Sequence, residues 1–182
     1  FLLENKVYPS RGLTRPPLAP TAPAPPWRIG WFGALRCQVS WEAIRTLARR
    51  HPATLHFVIR GYPTAIQAEH FLSQAGDHPN IEFGGPYRYP EELAAIHAGL
   101  HFAWGFDFSD PSANSRWLLP NRLYESGLFH IPLLAAATTE TGRRIAADRT
   151  GPILDIDADT LVDALSTFFE TLTPQTWQQW RT

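Results

Sequence analysis

The chain has 182 residues, 44% hydrophobic and 18% charged, with a formal net charge of -1 at neutral pH. This is the composition of an ordinary globular domain, long enough to bury about 70% of its unfolded surface. It leaves no electrostatic footprint for nucleic acid, because no basic run of five or more residues occurs. A single cysteine, Cys37, excludes an internal disulfide and a cysteine-built zinc site, and it fits a reducing, cytoplasmic setting. No stretch approaches the length of a membrane span, and the start lacks the basic-then-apolar pattern of a signal peptide.

Methionine is absent, even at position 1, so the chain is expected to be a piece of a longer protein. Residues 9–26 hold seven of the 17 prolines. They predict an extended, polyproline-like linker, and 1–26 together is expected to be the end of a preceding domain plus that linker.

From residue 27 the pattern alternates. The apolar run 28–33 ends in glycine and predicts a first strand, while 40–50 places Trp41, Ile44, Leu47 and Ala48 on one helical face. Residues 55–61 repeat the strand-to-glycine ending, and 65–75 reads as a helix entered through Pro63 and Thr64. A short third strand at 80–85 leads to a helix over about 89–98. Further strands are expected at 100–104, 131–135 and 152–154, with helices at 121–128, 140–147 and 158–172, and a helical tail at 173–182.

Six strands alternating with helices predict a Rossmann-like three-layer αβα sandwich, its parallel sheet ordered 3-2-1-4-5-6 by right-handed crossovers. Residues 27–172 would form this one domain. In that order the crevice opens between strands 1 and 4, outside their C-terminal ends. It would be bordered by Gly33, Ala34, Leu35 and Arg36 on one side and by 104–109 on the other. The run Pro120-Asn121-Arg122-Leu123-Tyr124-Glu125 follows the second border. Pro120 discourages helix before it and Asn121 is a favourable N-cap. The amides of Arg122, Leu123 and Tyr124 would then point at whatever lies in front, an arrangement that attracts phosphate. Arg122 offers a planar fork to phosphate oxygens, and Glu125, one turn on, offers a carboxylate to ribose hydroxyls.

The nucleotide chemistry is narrowed by what is missing. Strand 1 carries Gly30 and Gly33 but no Gly-x-Gly-x-x-Gly, and strand 2 ends in Arg60-Gly61 where a dinucleotide enzyme would place an acid. A P-loop is absent too.

The segments 29–36, 57–61, 80–85 and Asn121-Arg122-Leu123-Tyr124-Glu125 leading to Gly127 and Ile131-Pro132 resemble, in order and separation, the C-terminal donor-binding domain of GT-B glycosyltransferases, group 1 (family 4-like). The likeness covers about 27–172. It implies a glycine loop at Gly33 close to the diphosphate, phosphate-holding roles for Arg36 and Arg122, and a ribose-binding role for Glu125. The helix-start residues Asn121, Leu123 and Tyr124 would complete that site, and Tyr87 would stand along the nucleobase. The function implied is donor binding for sugar transfer from a nucleoside diphosphate sugar to a glycan or lipid-linked acceptor in bacterial polysaccharide synthesis. No cofactor or metal is expected. The partner expected is an N-terminal acceptor domain, and peripheral inner-membrane attachment would belong to the full-length protein. One departure stands out: eight positions before Glu125, where many members carry a second glutamate, this chain has Trp117. The alternative reading is a non-catalytic Rossmann-like nucleotide-binding or structural module.

Other constellations read as structure. Asp155, Asp157 and Asp159 lack the glycine and the glutamate of a calcium loop, which leaves a strand end and an N-cap. Asp107 and Asp110 read as a solvated loop, and His97 and His101 straddle a predicted helix end and strand start, which is unsuited to zinc. Cys37 reads as packing. Trp177 and Trp180 in the tail are expected to be interface residues lacking their partner domain, through which the chain would self-associate.

Overall fold

The computed structural model describes residues 23–64, 68–110 and 114–181. The proline-rich segment therefore lies, up to residue 22, outside the described residues. No helix among the described residues is long and apolar enough to cross a membrane.

Alternating strands and helices run β1 (Trp27–Leu35), α1 (Gln38–Arg50), β2 (Leu55–Pro63), α2 (Ala68–Gly76), β3 (Ile81–Phe83), α3 (Leu93–His97), β4 (Phe102–Trp104), α4 (Asn114–Trp117), α5 (Asn121–Leu128), β5 (Leu133–Ala136), α6 (Glu140–Asp148), β6 (Ile153–Leu154), α7 (Leu161–Thr171) and α8 (Pro174–Gln178). The sheet has the expected order β3-β2-β1-β4-β5-β6, and every pair is parallel. Pairing is unequal. β1 and β2 match over nine positions, from Trp27 opposite Leu55 to Leu35 opposite Pro63, whereas β1 and β4 share only Ile29–Phe102 and Gly30–Ala103. The strands thus diverge beyond Gly30, and a gap opens at the C-terminal edge.

Both faces are covered. One core gathers Trp41, Ile44 and Leu47 of α1, Phe71 of α2, and Leu161, Leu165 and Phe169 of α7 against Ile29, Trp31, Phe57, Ile59, Phe102 and Trp104. The other gathers Leu93 and Ile96 of α3, Phe129 after α5 and Ile145 of α6 against Phe32, Val58, Ala103 and Leu133. The strands are apolar on both faces because both are buried, which is why they read as continuous hydrophobic runs.

Several expectations change. The helix expected at 89–98 shortens to α3, since Arg60 and Glu92 hold the preceding residues in a loop. α4 was not anticipated. Asn121 is the first residue of α5, not its cap: Pro120 occupies the cap position in an extended conformation, and no side chain caps this helix. Asp157 behaves as a turn former, its Oδ1 accepting from the Asp159 and Thr160 amides ahead of α7.

The tail is part of the domain. Trp177 is 1% exposed, and its indole N–H donates to the His101 carbonyl at 2.8 Å. The His101 ring accepts the Arg28 amide at 2.9 Å and meets the Trp27 ring edge-on at 5.1 Å. Trp180 packs on Phe102 and Phe168. This aromatic plug seals the N-terminal ends of β1 and β4, away from the gap. Trp177 is therefore not an orphaned interface residue, and the reason for expecting self-association through it falls away. Truncating so large a buried side chain typically costs about 3–5 kcal/mol. Trp177→Ala should lower the urea unfolding free energy by about that amount; a loss below ~1 kcal/mol would show that the tail is not integral to the fold.

Candidate functional site

The gap between β1 and β4 is a cleft of about 400 Å³ lined by Phe32, Gly33, Ala34 and Arg36, by Tyr87 and Tyr89, and by residues 118–122 together with Glu125. Its floor exists because the backbone is allowed to turn there. Gly33 has φ +99°, and a Cβ built on it would meet only open space. Its register partner Gly61, at φ +140°, packs directly on the Gly33 carbonyl, so no larger residue fits beneath the floor.

The β1–α1 turn and the β4–α4 loop are tied together. The Cys37 sulfur accepts the amides of Ser40 at 3.4 Å and Phe108 at 3.2 Å, and the Ser40 hydroxyl donates to the Phe106 carbonyl at 3.1 Å. Cys37 thus caps α1 and joins two walls, more than the packing role expected of it. Beside it Arg36 donates twice to one oxygen of Asp107, at 3.1 and 2.6 Å. The other Asp107 oxygen accepts from the Ser109 amide and the Ser115 hydroxyl. Asp107 has a side chain only 12% exposed, so it is not a solvated loop residue. Burial alone would raise its carboxyl, but the Ser109 and Arg36 donors more than offset that and hold it below the usual range.

The third wall is the β3–α3 loop. Arg60 donates to the carbonyls of Gly85 and Pro86 and pairs with Glu92 at 3.3 Å, and Glu92 also takes the Arg88 amide and guanidinium. This fixes Tyr87 edge-on against Phe32, ring centres 6.4 Å apart. Burial first, then the Glu125 charge, pushes the Tyr87 phenol up to about 12 against the pull of Arg122.

At the centre lie Arg122 and Glu125. Arg122 is half-buried, its guanidinium tied to the Trp104 carbonyl at 3.1 Å, and desolvation draws it below its ordinary value. Glu125 is 4% exposed, and its carboxylate accepts no hydrogen bond among the described residues. Desolvation raises the pKa of its carboxyl against the opposing pull of Arg122.

Of the residues singled out from sequence, Gly33, Arg36, Tyr87, Asn121, Arg122 and Glu125 line the one cleft. Leu123 and Tyr124 do not. The Leu123 amide is taken by the Pro120 carbonyl at 3.0 Å and its side chain joins the second core, while Tyr124 is half-buried away from the cleft wall. The helix start still presents the amides of Asn121 and Arg122, which precede the first intrahelical donor. Sequence reasoning missed Tyr89, which lines the cleft, and the brackets Arg60 and Asp107. The Arg60-Gly61 strand ending was visible, but its partner Glu92 lies 32 positions away. His97 and His101 engage separate cores, one bonded to the Leu93 carbonyl and the other to the Arg28 amide. No group of three or more His, Cys, Asp or Glu side chains converges among the described residues.

The fold is a Rossmann-like one that solved glycosyltransferases and UDP-GlcNAc 2-epimerases share. Solved structures with this fold include the UDP-GlcNAc 2-epimerase of Neisseria meningitidis bound to UDP-GlcNAc (TM-score 0.59, 14% identity, 86% of this chain and 40% of that one). WaaG, a glycosyltransferase involved in lipopolysaccharide biosynthesis, superposes at 0.57 with 14% identity over 85% of this chain and 42% of its own. TarM of S. aureus, solved with UDP, superposes at 0.56 with 13% identity over 99% and 38%. In sequence the chain is 41% identical over 180 residues to the succinoglycan biosynthesis protein ExoL of Rhizobium meliloti (strain 1021), across 96% of this chain and 43% of that protein. It therefore spans less than half the length of this curated relative. No protein-family model matches it.

A buried carboxylate without a hydrogen-bond donor is costly to the fold. Because the Glu125 value is raised on folding, its contribution to stability is favourable below the unfolded carboxyl range and is lost as pH rises through the folded value. Glu125→Gln should therefore raise the thermal midpoint at pH 7–8, and the gain should vanish near pH 4. A midpoint lowered at neutral pH would show that the carboxylate is held by the fold itself.

Proposed function

We propose that this chain is the nucleotide-sugar-binding half of a glycosyltransferase that passes a sugar from a nucleoside diphosphate to a glycan or lipid-linked acceptor in bacterial polysaccharide biosynthesis. The observation that carries the reading is Glu125: an almost fully buried carboxylate, accepting no hydrogen bond among the described residues, facing the cleft beside Arg122 at the strand-order reversal. Ribose hydroxyls are the donors that such a carboxylate lacks. The two guanidiniums and the open amides of Asn121 and Arg122 suit the diphosphate, and the Tyr87 ring, half-buried against Phe32, suits a flat base.

In this reading negative charge develops on the diphosphate as the sugar–oxygen bond breaks, so cations already aimed there supply the electrostatic part of catalysis. Arg36 is held in place by Asp107 and Arg122 by the Trp104 carbonyl, which spares reorganisation during the reaction. The acceptor and any general base come from the part of the protein beyond these residues. That ExoL serves succinoglycan biosynthesis, and that WaaG is a lipopolysaccharide glycosyltransferase, supports the choice of transfer over a non-catalytic module. A cytoplasmic protein attached peripherally at the inner membrane fits that setting.

The test is thermal unfolding against UDP, GDP, ADP, dTDP, CDP and NAD. A nucleoside diphosphate at 100 times its dissociation constant adds about 2.7 kcal/mol, or roughly 5–10 °C in a domain of this size. The shift should appear for one base, persist without added metal, and disappear in Arg122→Ala and Glu125→Ala. Silence from every diphosphate, in this chain and in the full-length protein alike, would overturn the reading.

A further inference from the structure

Strand β2 ends in Arg60-Gly61, and this dipeptide touches two different walls of the cleft. Gly61 packs against the Gly33 carbonyl beneath the floor, and its amide donates to the Gly85 carbonyl at 2.9 Å. Arg60 reaches the same loop with its side chain. Its stem crosses Gly84, where a Cβ would meet Arg60 Cδ at 2.6 Å, and its guanidinium donates to the Gly85 and Pro86 carbonyls at 3.0 Å each and to Glu92 at 3.3 Å. Glu92 closes the brace from the other side, taking the Arg88 amide at 3.2 Å and the Arg88 guanidinium at 3.1 Å. One guanidinium can engage two carbonyls and a carboxylate together because its donors lie in a fixed planar fork.

The brace also uses up the acceptors of the loop. Between Gly85 and Arg88, the carbonyls of Gly85 and Pro86 are taken by Arg60, and that of Arg88 is taken by the Glu92 amide at 2.9 Å. The Tyr87 carbonyl accepts no hydrogen bond among the described residues, and the Tyr87 amide donates none. Tyr87 is also the residue of this stretch that lines the cleft, its ring set edge-on against Phe32. Arg60 itself stands outside the cleft, bordering a separate groove with Arg28 and Glu82. A flat heterocycle arriving at Tyr87 thus meets one unspent main-chain donor and one unspent acceptor, in a loop whose position Arg60 sets.

We propose that Arg60 is the positioning residue for nucleobase selection: it holds the Tyr87 backbone against the base edge of a nucleoside diphosphate and keeps the neighbouring carbonyls from accepting a competing base. The inference rests on the nucleotide reading of the cleft and deepens it by assigning the choice of base to a side chain that touches no nucleotide. Each base presents its donors and acceptors in a fixed order along its edge. One donor beside one acceptor at a fixed place favours the base whose edge fits, whereas freed carbonyls at Gly85 and Pro86 would accept from any ring N–H or exocyclic amine. In this reading the phosphates are held elsewhere, by Arg36, Arg122 and the start of α5, so removing Arg60 separates the two ends of the ligand.

The experiment titrates UDP, GDP, ADP, CDP, dTDP and pyrophosphate into wild type, Arg60→Ala, Arg60→Lys and Glu92→Gln by calorimetry, in this chain and in the full-length protein, with unfolding midpoints measured alongside. Wild type should prefer one base. Arg60→Ala should weaken that nucleotide about tenfold, the worth of one well-placed hydrogen bond, and bring the other bases to within about threefold of it, while pyrophosphate binds as before. Arg60→Lys keeps a donor for the loop carbonyls and should recover part of the preference, and Glu92→Gln should fall between wild type and Arg60→Ala. A wild type without base preference overturns the proposal, as does a preference that survives in Arg60→Ala. A uniform loss across every nucleotide and pyrophosphate, tracking a lower midpoint, makes Arg60 a stability residue and overturns it too. Each of these leaves the nucleotide site standing, because wild type still binds. A wild type that binds no diphosphate in either form sinks the nucleotide reading and this inference with it. Should Arg60→Ala not fold, Arg60→Lys and Glu92→Gln decide: base ratios unchanged in both overturn the proposal, and ratios flattened in both support it.

Discussion

The structure depends on unequal pairing along β1. Nine register pairs bind it to β2, and two bind it to β4, so the strands that begin side by side at Ile29 and Phe102 have parted by Gly33. A parallel sheet whose order reverses at β1 sends its crossovers to opposite faces, and no helix can cover the edge where they separate. The cleft follows from topology before any polar residue is considered. The glycine pair at its floor allows the backbones to close beneath it: Gly61 must lack a side chain because the Gly33 carbonyl occupies that space.

Three polar brackets then turn a gap into a shaped site. Cys37 and Ser40 tie the start of α1 to the β4–α4 loop, Arg60 with Glu92 braces the loop that carries Tyr87, and Asp107 holds Arg36. Each joins segments distant in sequence, so each fixes the separation of two walls. At the opposite end the Trp27–His101–Trp177 cluster locks the strand starts and docks the tail. A rigid base with braced walls is the arrangement expected where side chains must be held within a narrow geometry.

Much of this was legible in the sequence, for a physical reason. Apolar runs ending in glycine and alternating with amphipathic stretches fix strand number and order, because parallel strands need crossovers of one hand. Gly33, Arg36, Tyr87, Arg122 and Glu125 were legible because they sit at or just after strand ends or in the first half of a helix, at the edge the topology exposes. What could not be read were pairings in space. Asp107 looks like a loop carboxylate until Arg36, 71 positions earlier, is folded against it. The Leu123 amide looks open until the Pro120 carbonyl takes it in a tight first turn, and Asn121 looks like a cap until Pro120 proves able to serve with its backbone alone. Trp177 looks like a surface residue because its helix is short and polar, and only the strand ends it covers reveal its burial.

Under the proposed function, the charge pattern of the cleft bears on turnover. Arg36, Arg122 and Glu125 line the cleft and Asp107 is bonded to Arg36, so each side of the site sets carboxylate beside cation. A pair of arginines without these carboxylates would bind a diphosphate strongly whether or not the sugar was still attached. Uniform binding of that kind deepens the ground state and slows product release without lowering the barrier. Asp107 tempers Arg36 while holding it in place, and in the proposed reading Glu125 would contribute to binding only when hydroxyl donors reach it. Under the proposed reading, affinity in such a site would come from the joint presence of phosphate and ribose. Selectivity would then rest on the whole nucleotide, and free phosphate, which cannot satisfy Glu125, would compete poorly for the same pocket.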